Sequence, residues 1–368
     1  MLHYICFYQL PQPIIINPFE LLLVYTGVLL IDYVLLRSSR SLSILKPLYT
    51  WIKYFIICYH LLLPVIIVSC SQPLNVLFTA APIYLSMFTG HLPDTHLNDV
   101  VQWIYELATD LKHPNQEGNV RLHGLAVVSR GLFKLLFIFS ILDPYFLPTI
   151  NDDIRLALTY PWYHYITLYY NLCLGTKAYC LLGSVDVLLG FEQFISGVRF
   201  IDLFNSPLLA SSPRDFWSRR WNMVVRKIFH TQVFLPENNK FAVAAAANNK
   251  KKDNDDLKIN RNKDNGFWST HNGRGLVVFF LSGVLHELII WSCCREVTLE
   301  HVFFFLIHGI AVMLETNLTR RQRRTGWKAR SICIIAHLLF ITLTGRLFLA
   351  PFIRHDFLTP LAINFSFL

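Results

Sequence analysis

The stretch VVFFLSGVLHELIIW, Val277 to Trp291, decides how this chain is read. It is long and apolar enough to belong to a helix that crosses a bilayer, which takes roughly 20 such residues. Yet a His-Glu pair, His286 and Glu287, interrupts it near the middle. Ionisable residues at that depth are costly, so they face the interior of a helix bundle and mark function. The plainer reading, a histidine hydrogen-bonded across two helices, is equally open from this stretch alone. Ser282 and Gly283, one turn earlier, are small and leave room over the imidazole. Glu287 is offset by about 100° around the helix, which points it to a partner other than His286.

Working outward, the whole chain has the same character. Of its 368 residues, 54% are hydrophobic and 15% are charged, against about a quarter charged in a soluble domain. Helices satisfy their own backbone groups in lipid, so an all-α integral membrane bundle is expected. Hydropathy marks about eight spans: Pro18 to Leu36, Tyr54 to Ser69, Leu74 to Thr89, Leu122 to Leu142, Tyr163 to Leu189, Gly275 to Cys293, His301 to Glu315 and Ser331 to Ala350. The N-terminus reads as a retained first span. No basic region precedes it and no small-residue cleavage site follows it.

Charge placement orients these spans. Arg37, Arg40, Lys46 and Lys53, then Lys112 and Arg121, then the segment from Phe191 to Arg274, then Arg320 to Arg330 all fall on one side if the N-terminus is luminal. Positive loops mark that side as cytosolic. The net charge of +9 therefore reports basic loops and not a nucleic-acid module. Within the long loop, Glu237 to Asn265 is a low-complexity insertion whose composition cannot bury enough apolar area to order itself. The chain divides into N-terminal spans over 1–190, a cytosolic motif region over 191–236, the loop over 237–266 and C-terminal spans over 267–351, within one domain covering 1–368.

Several chemistries lack their signatures. The eight cysteines form no C-x-x-C pair and no Cys/His cluster of zinc spacing, so no metal is expected. His91 and His96, or His301 and His308, do not converge as the boxes of a di-iron enzyme would, and read as interfacial or packing histidines. No G-x-S-x-G elbow, P-loop or Rossmann fingerprint is present. The segment SPRDFWSRRWNMVVRKIFH, Ser212 to His230, is expected as one amphipathic helix at the interface. Trp217, Trp221, Val224, Val225 and Ile228 share one face, opposite Arg219, Arg226, Lys227 and His230. Read plainly it is an anchor. Asn222 at the border of the faces, and Arg219 and Arg220 as partners for a phosphorylated substrate, allow more.

Taken together, DFWSRRWN (Asp215 to Asn222) and FLSGVLHEL (Phe280 to Leu288) resemble the wax synthase branch of the membrane-bound O-acyltransferase superfamily. Plant wax ester synthases and fungal terpenoid acetyltransferases share an FWxRRWN element and a later SGxxHE element. TGRLFLAP, Thr344 to Pro351, is similar to that family's last span. The resemblance is specific over about Asp202 to Pro351, and the Ala/Asn/Lys-rich insertion departs from the pattern. It implies a bundle enclosing a substrate tunnel in the endoplasmic reticulum membrane. The implied activity is acyl transfer from acyl-CoA, a co-substrate and not a resident cofactor, to a lipid alcohol. A long-chain fatty alcohol leads, ahead of a sterol, terpenoid or diacylglycerol. His286 matches the family's catalytic histidine and Asn222 its upstream polar residue. Trp217, Arg219, Arg220, Trp221, Arg226, Ser282 and Glu287 would line the substrate path. A transporter using His286 and Glu287 as an ion path, or a non-catalytic scaffold, are the readings of other classes; no internal repeat supports the first.

The orientation has a direct test. Asn317-Leu318-Thr319 is a glycosylation sequon on the basic side. With protein from a eukaryotic host, Asn317→Gln should leave any glycosidase-induced change in gel mobility as it is in the parent, and a shift lost in Asn317→Gln would overturn the topology.

Overall fold

A computed structural model describes residues 7–41, 48–69, 119–147, 151–230, 267, 270–318 and 326–355. Within them the protein is an all-α membrane protein. Six helical spans are long and apolar enough to cross a bilayer: Pro18–Ser39, Val120–Phe146, Tyr165–Ser196, His271–Cys294, Glu300–Leu318 and Trp327–Arg354; Trp51–Ile66 is a shorter apolar helix. The span expected at Leu74 to Thr89 and the low-complexity loop lie outside the described residues. The span expected over Tyr163 to Leu189 consists of two helices meeting at Leu182.

The helices are α1 (Pro18–Ser41), α2 (Tyr49–Ile66), α3 (Val120–Phe137, extended through a π turn to Phe146), α4 (Tyr165–Leu181), α5 (Gly183–Ser196), α6 (Met223–Phe229), α7 (His271–Cys294), α8 (Glu300–Leu318) and α9 (Trp327–Arg354). The sequence NPFE starts α1 through a reciprocal capping box: the Asn17 carboxamide accepts from the Glu20 amide at 2.8 Å, and the Glu20 carboxylate accepts from the Asn17 amide at 3.0 Å. Thr270 caps α7 by accepting from Gly273 N at 3.1 Å.

Two kinds of contact hold the helices together in lipid. The first is close backbone approach. A Cβ on Gly131 would stand 2.5 Å from the Gly183 carbonyl oxygen, and one on Gly124 2.7 Å from that of Gly190. Small residues at these crossings let α3 and α5 touch along their length, the packing that replaces the hydrophobic effect in a bilayer. The second is buried polar pairing. Lys134 meets Asp186 at 2.7 Å between α3 and α5, and Lys177 meets Asp143 at 2.8 Å. Asp32 on α1 bonds Tyr59 and His60 on α2. Each charge has its counter-charge or hydrogen-bond partner, which is what makes it tolerable at that depth.

The two ends of the bundle differ. At one end, β2 (Ile14–Ile16) pairs with β3 (Ile67–Ser69), and β1 (Tyr8–Gln9) pairs with β4 (Glu296–Val297) between α7 and α8. Arg295, left-handed at φ 61°, donates there to the carbonyls of Pro11 and Val65 and so satisfies the end of α2. At the other end lie Arg121, bonded to the Phe194 carbonyl at 3.1 Å, and Asn272, bonded to Asn317 at 3.0 Å. Arg121 and the start of the loop after α5 thus share an end with the α8 terminus, through the Arg214 amide on Glu315. Among the described residues, Arg37, Arg121, Arg214, Lys328 and Arg330 stand toward this end.

Gly131→Ala should force α3 and α5 apart and cost about 1–3 kcal/mol, lowering the midpoint of thermal unfolding in detergent. Gly175→Ala, where nothing lies within 4 Å of the new methyl, is the matched control. Equal melting of the two variants would refute the close-packing account.

Candidate active site

The motif segment before α6 departs from the expected single amphipathic helix. Ser212 caps a short turn, Pro213–Asp215, which passes into a π turn, Phe216–Arg220. Trp221 is then extended (φ −108°, ψ 127°) and Asn222 is left-handed (φ 39°). Asparagine tolerates that conformation better than most residues. The break lets the chain pair with the strand-like segment before it: Asn205 N donates to the Arg220 carbonyl at 2.9 Å and Met223 N to that of Leu203 at 3.1 Å. Helical periodicity assigned one axis to residues that follow two.

The break also redirects the tryptophans. They pack inward on other rings of the bundle. Trp221 stacks on Phe216 (centroids 5.2 Å apart) and meets Phe204 at 5.0 Å. Lys134 stands 4.4 Å from the Tyr179 ring and 5.2 Å from the Phe204 ring of that cluster. Trp217 reaches the C-terminal helices: Phe279 on α7 at 5.7 Å and Phe305 on α8 at 5.3 Å. Its indole N–H donates to His308 Nδ1 at 3.0 Å. Because an indole is a donor only, His308 must carry its own proton on Nε2, which donates to Thr344 Oγ1 on α9 at 3.0 Å. One bonded line therefore ties the motif segment to α8 and α9.

Arg220 is engaged within the fold. It donates to Asp215 at 2.8 Å and to the carbonyls of Asn205 and Ser206 at 3.2 and 3.1 Å. Burial alone would raise the Asp215 carboxyl; the bonds from Arg220 and the Ser211 amide, with the charges of Arg220 and Arg219, outweigh it and hold the group below the usual carboxylate range. Arg219 and Arg226 are exposed at the basic end of the bundle. Asn222 caps α6, its side-chain oxygen accepting from Val225 N at 3.2 Å. Among the described residues it shares no hydrogen bond with His286. The helix it caps packs Val225 and Phe229 against Leu285 and Ile289 of α7, beside His286.

His286 is half-buried. Its Nδ1 lies 2.7 Å from the Ser282 carbonyl one turn back. A carbonyl only accepts, so Nδ1 bears the proton and Nε2 the lone pair. Ser282 thus contributes its main chain. The ring is walled by Phe305 at 4.6 Å, Phe348 at 5.7 Å and His301 at 6.1 Å. Gly283 does not open space over the imidazole as its size suggested. A Cβ there would stand 2.7 Å from Val302 Cα, so the glycine admits the backbone of α8.

Glu287 turns away from His286 and is 1% exposed. Its carboxylate accepts from Thr298 N at 3.0 Å, Thr298 Oγ1 at 3.2 Å, Leu299 N at 2.6 Å and His301 N at 3.3 Å. A carboxylate from α7 thus caps the N-terminus of α8, where unsatisfied amides and the helix dipole favour negative charge. This clamp sets His301 beside His286. His301 and His308, which the sequence alone reads as interfacial or packing histidines, stand with Phe304 and Phe305 at helical spacing on one face of α8.

Residues 200–307, which hold both motifs and His301, match the family model of the membrane bound O-acyl transferase family. Over 204 residues the chain is 30% identical to an Arabidopsis thaliana protein named "Probable long-chain-alcohol O-fatty-acyltransferase 9", covering 53% of this chain and 53% of the relative. It is 31% identical over 166 residues to "Probable long-chain-alcohol O-fatty-acyltransferase 1" (44% and 41%), and 29% identical over 153 residues to "Acyl-CoA--sterol O-acyltransferase 1" (41% and 38%), both from the same plant. The chain spans about half the length of the first of these relatives and less of the others. The resemblance to the wax synthase branch of this superfamily is supported by these matches.

Glu287→Gln replaces an acceptor by an amide whose NH2 group faces backbone donors. The α7–α8 turn should lose about 1–3 kcal/mol, read as a lower unfolding midpoint in detergent. An unchanged midpoint would refute the clamp.

Proposed function

We propose that the protein is a membrane-bound O-acyltransferase that moves an acyl group from acyl-CoA to the hydroxyl of a lipid alcohol, with His286 as general base. The observation that carries this reading is the tautomer: the Ser282 carbonyl holds the proton on Nδ1, leaving Nε2 as an acceptor inside an aromatic wall. An alcohol is far too weak an acid to ionise near pH 7, so its attack on a thioester needs such a base within hydrogen-bond reach.

In the proposed reaction the alcohol O–H proton passes to Nε2 as the oxygen bonds to the thioester carbonyl carbon. The tetrahedral intermediate collapses with cleavage of the C–S bond, and the imidazolium returns its proton to the departing thiolate. Ester and free CoA thiol are the products. Asn222 commits its side-chain oxygen to the α6 cap, so the NH2 group is the end suited to the oxyanion. Acyl-CoA enters from the basic, cytosolic end, where the exposed Arg219 and Arg226 meet its phosphates; the alcohol enters from the bilayer. The membrane is that of the endoplasmic reticulum, where acyl-CoA and lipid alcohols meet.

Two relatives carry the name "Probable long-chain-alcohol O-fatty-acyltransferase", which favours a fatty alcohol and a wax ester product. The relative named for a sterol supports a bulkier acceptor as the second reading. Microsomes expressing the chain, given labelled acyl-CoA and a panel of fatty alcohols, sterols, terpenoids and diacylglycerol, should form most ester with the fatty alcohols. His286→Ala should form none above background. Asn222→Ala should slow the reaction by a factor of order 10² to 10³. Undiminished ester formation by His286→Ala would overturn the base.

A further inference from the structure

Glycine is a poor helix former, and at most of the crossings in this bundle its small size is used for close contact. A Cβ on Gly283 would stand 2.7 Å from Val302 Cα, and one on Gly309 would stand 2.9 Å from Phe279 Cβ. Gly345, well inside α9, differs. Among the described residues nothing lies within 4 Å of the Cβ it lacks.

The neighbours of Gly345 on α9 show which way this open position faces. Phe348 lies about 60° to one side of it around the helix, and Leu349 about 40° to the other. Phe348 packs on Phe304 of α8 at 5.2 Å, and Leu349 shares a buried cluster with Cys173 and Leu174 of α4. Phe352, two turns further and within about 20° of the same line, packs against Ile290 and Cys294 of α7. The exposed apolar residues Ile332, Ile335 and Leu339 point about 80–140° away. Gly345 therefore faces α7, the helix that carries His286.

Those two helices stand apart. α9 packs along α4 and α8, and α7 along α8 and α2, whereas α7 and α9 share no extended interface among the described residues. Phe352 closes the gap toward the end that carries the strands, and Phe348 approaches His286 at 5.7 Å. Between these contacts the gap stays open at Gly345, and His286 keeps accessible surface. The side of α9 that faces the gap carries Leu338, Ile341, Phe348 and Phe352. All four offer only hydrocarbon, which suits an alkyl chain and not the polar part of a CoA.

We propose that Gly345 is a specificity-determining residue: the space it leaves between α9 and α7 holds an alkyl chain of the substrates as its reacting end meets His286. The chain belongs to the acyl group or to the alcohol. The proposal rests on the reading of the protein as an acyltransferase. A side chain at position 345 would stand in the path of that chain and set a length beyond which it no longer fits.

Microsomes carrying the parent, Gly345→Leu or Gly345→Val are given short and long acyl-CoAs, each with short and long alcohols, and kcat/KM is measured for every pair. Gly345→Leu should keep the shortest pair within about twofold of the parent and lower the long-to-short ratio at least about tenfold, the scale on which a filled apolar pocket discriminates. A fall that follows acyl length places the acyl chain at Gly345, and one that follows alcohol length places the alcohol there. A fold defect lowers all pairs alike and leaves the ratio unchanged; if Gly345→Leu is inactive throughout, the ratio in Gly345→Val decides. A parental ratio in the deciding variant overturns the proposal. So does an equal change of ratio in Gly175→Leu, which fills a comparably open glycine on the exposed side of α4. A parent that forms no ester with any pair defeats the acyltransferase reading and this proposal with it. A parent that forms ester, with the ratio unmoved at position 345, defeats this proposal alone.

Discussion

Everything at the candidate site depends on one buried carboxylate taking up the amides that begin a helix. Glu287 belongs to α7, yet its four bonds are to Thr298, Leu299 and His301 at the start of α8. A helix start buried inside the protein has no water to satisfy its first amides. A helix dipole and a carboxylate answer each other's needs there. The consequence is a rigid hairpin in which α8 approaches α7 closely enough that only glycine fits at position 283. His286, Phe305 and His301 are then held on facing sides of a single seam.

The motif segment is attached to this seam by two tryptophans with different tasks. Trp221 closes an aromatic cluster with Phe204 and Phe216, anchored beneath by Lys134. Trp217 donates to His308 and lies against Phe305, which itself lies against His286. The left-handed Asn222 separates the π turn from α6 and allows each part to pack on its own partner. Arg220, tied to Asp215 and to two carbonyls, holds the turn shut. The basic residues therefore divide: Arg220 builds the segment, while Arg219 and Arg226 remain at the surface.

Away from the site, the bundle uses polar pairs and glycines for the same purpose. Lys134 and Asp186 lie between α3 and α5 at the level where Gly131 and Gly183 touch. Asp32, Tyr59 and His60 join α1 to α2. In lipid there is little apolar surface to be gained by association, so specific hydrogen bonds and close contact decide which helices become neighbours.

The amino-acid sequence alone determined that the chain is helical and spans a membrane, because apolar run length reports directly on the thickness of hydrocarbon to be crossed. It also singled out His286, because an ionisable side chain inside such a run must be accounted for, and it set Glu287 on a different face from geometry alone. What each side chain meets was decided by the tertiary structure. His301 and His308 look like ordinary packing histidines along their own helix; only the crossing of α8 with α7 and α9 puts one beside His286 and the other under Trp217. The face of Trp217 and Trp221 suited an interfacial helix equally well until the backbone broke at Asn222, a reversal that hydrophobic periodicity does not encode. Gly283 could admit a substrate or a neighbouring backbone, and the backbone took the place. Local pattern records which environments a segment tolerates, but hydrogen-bond partners are chosen between segments far apart in the chain.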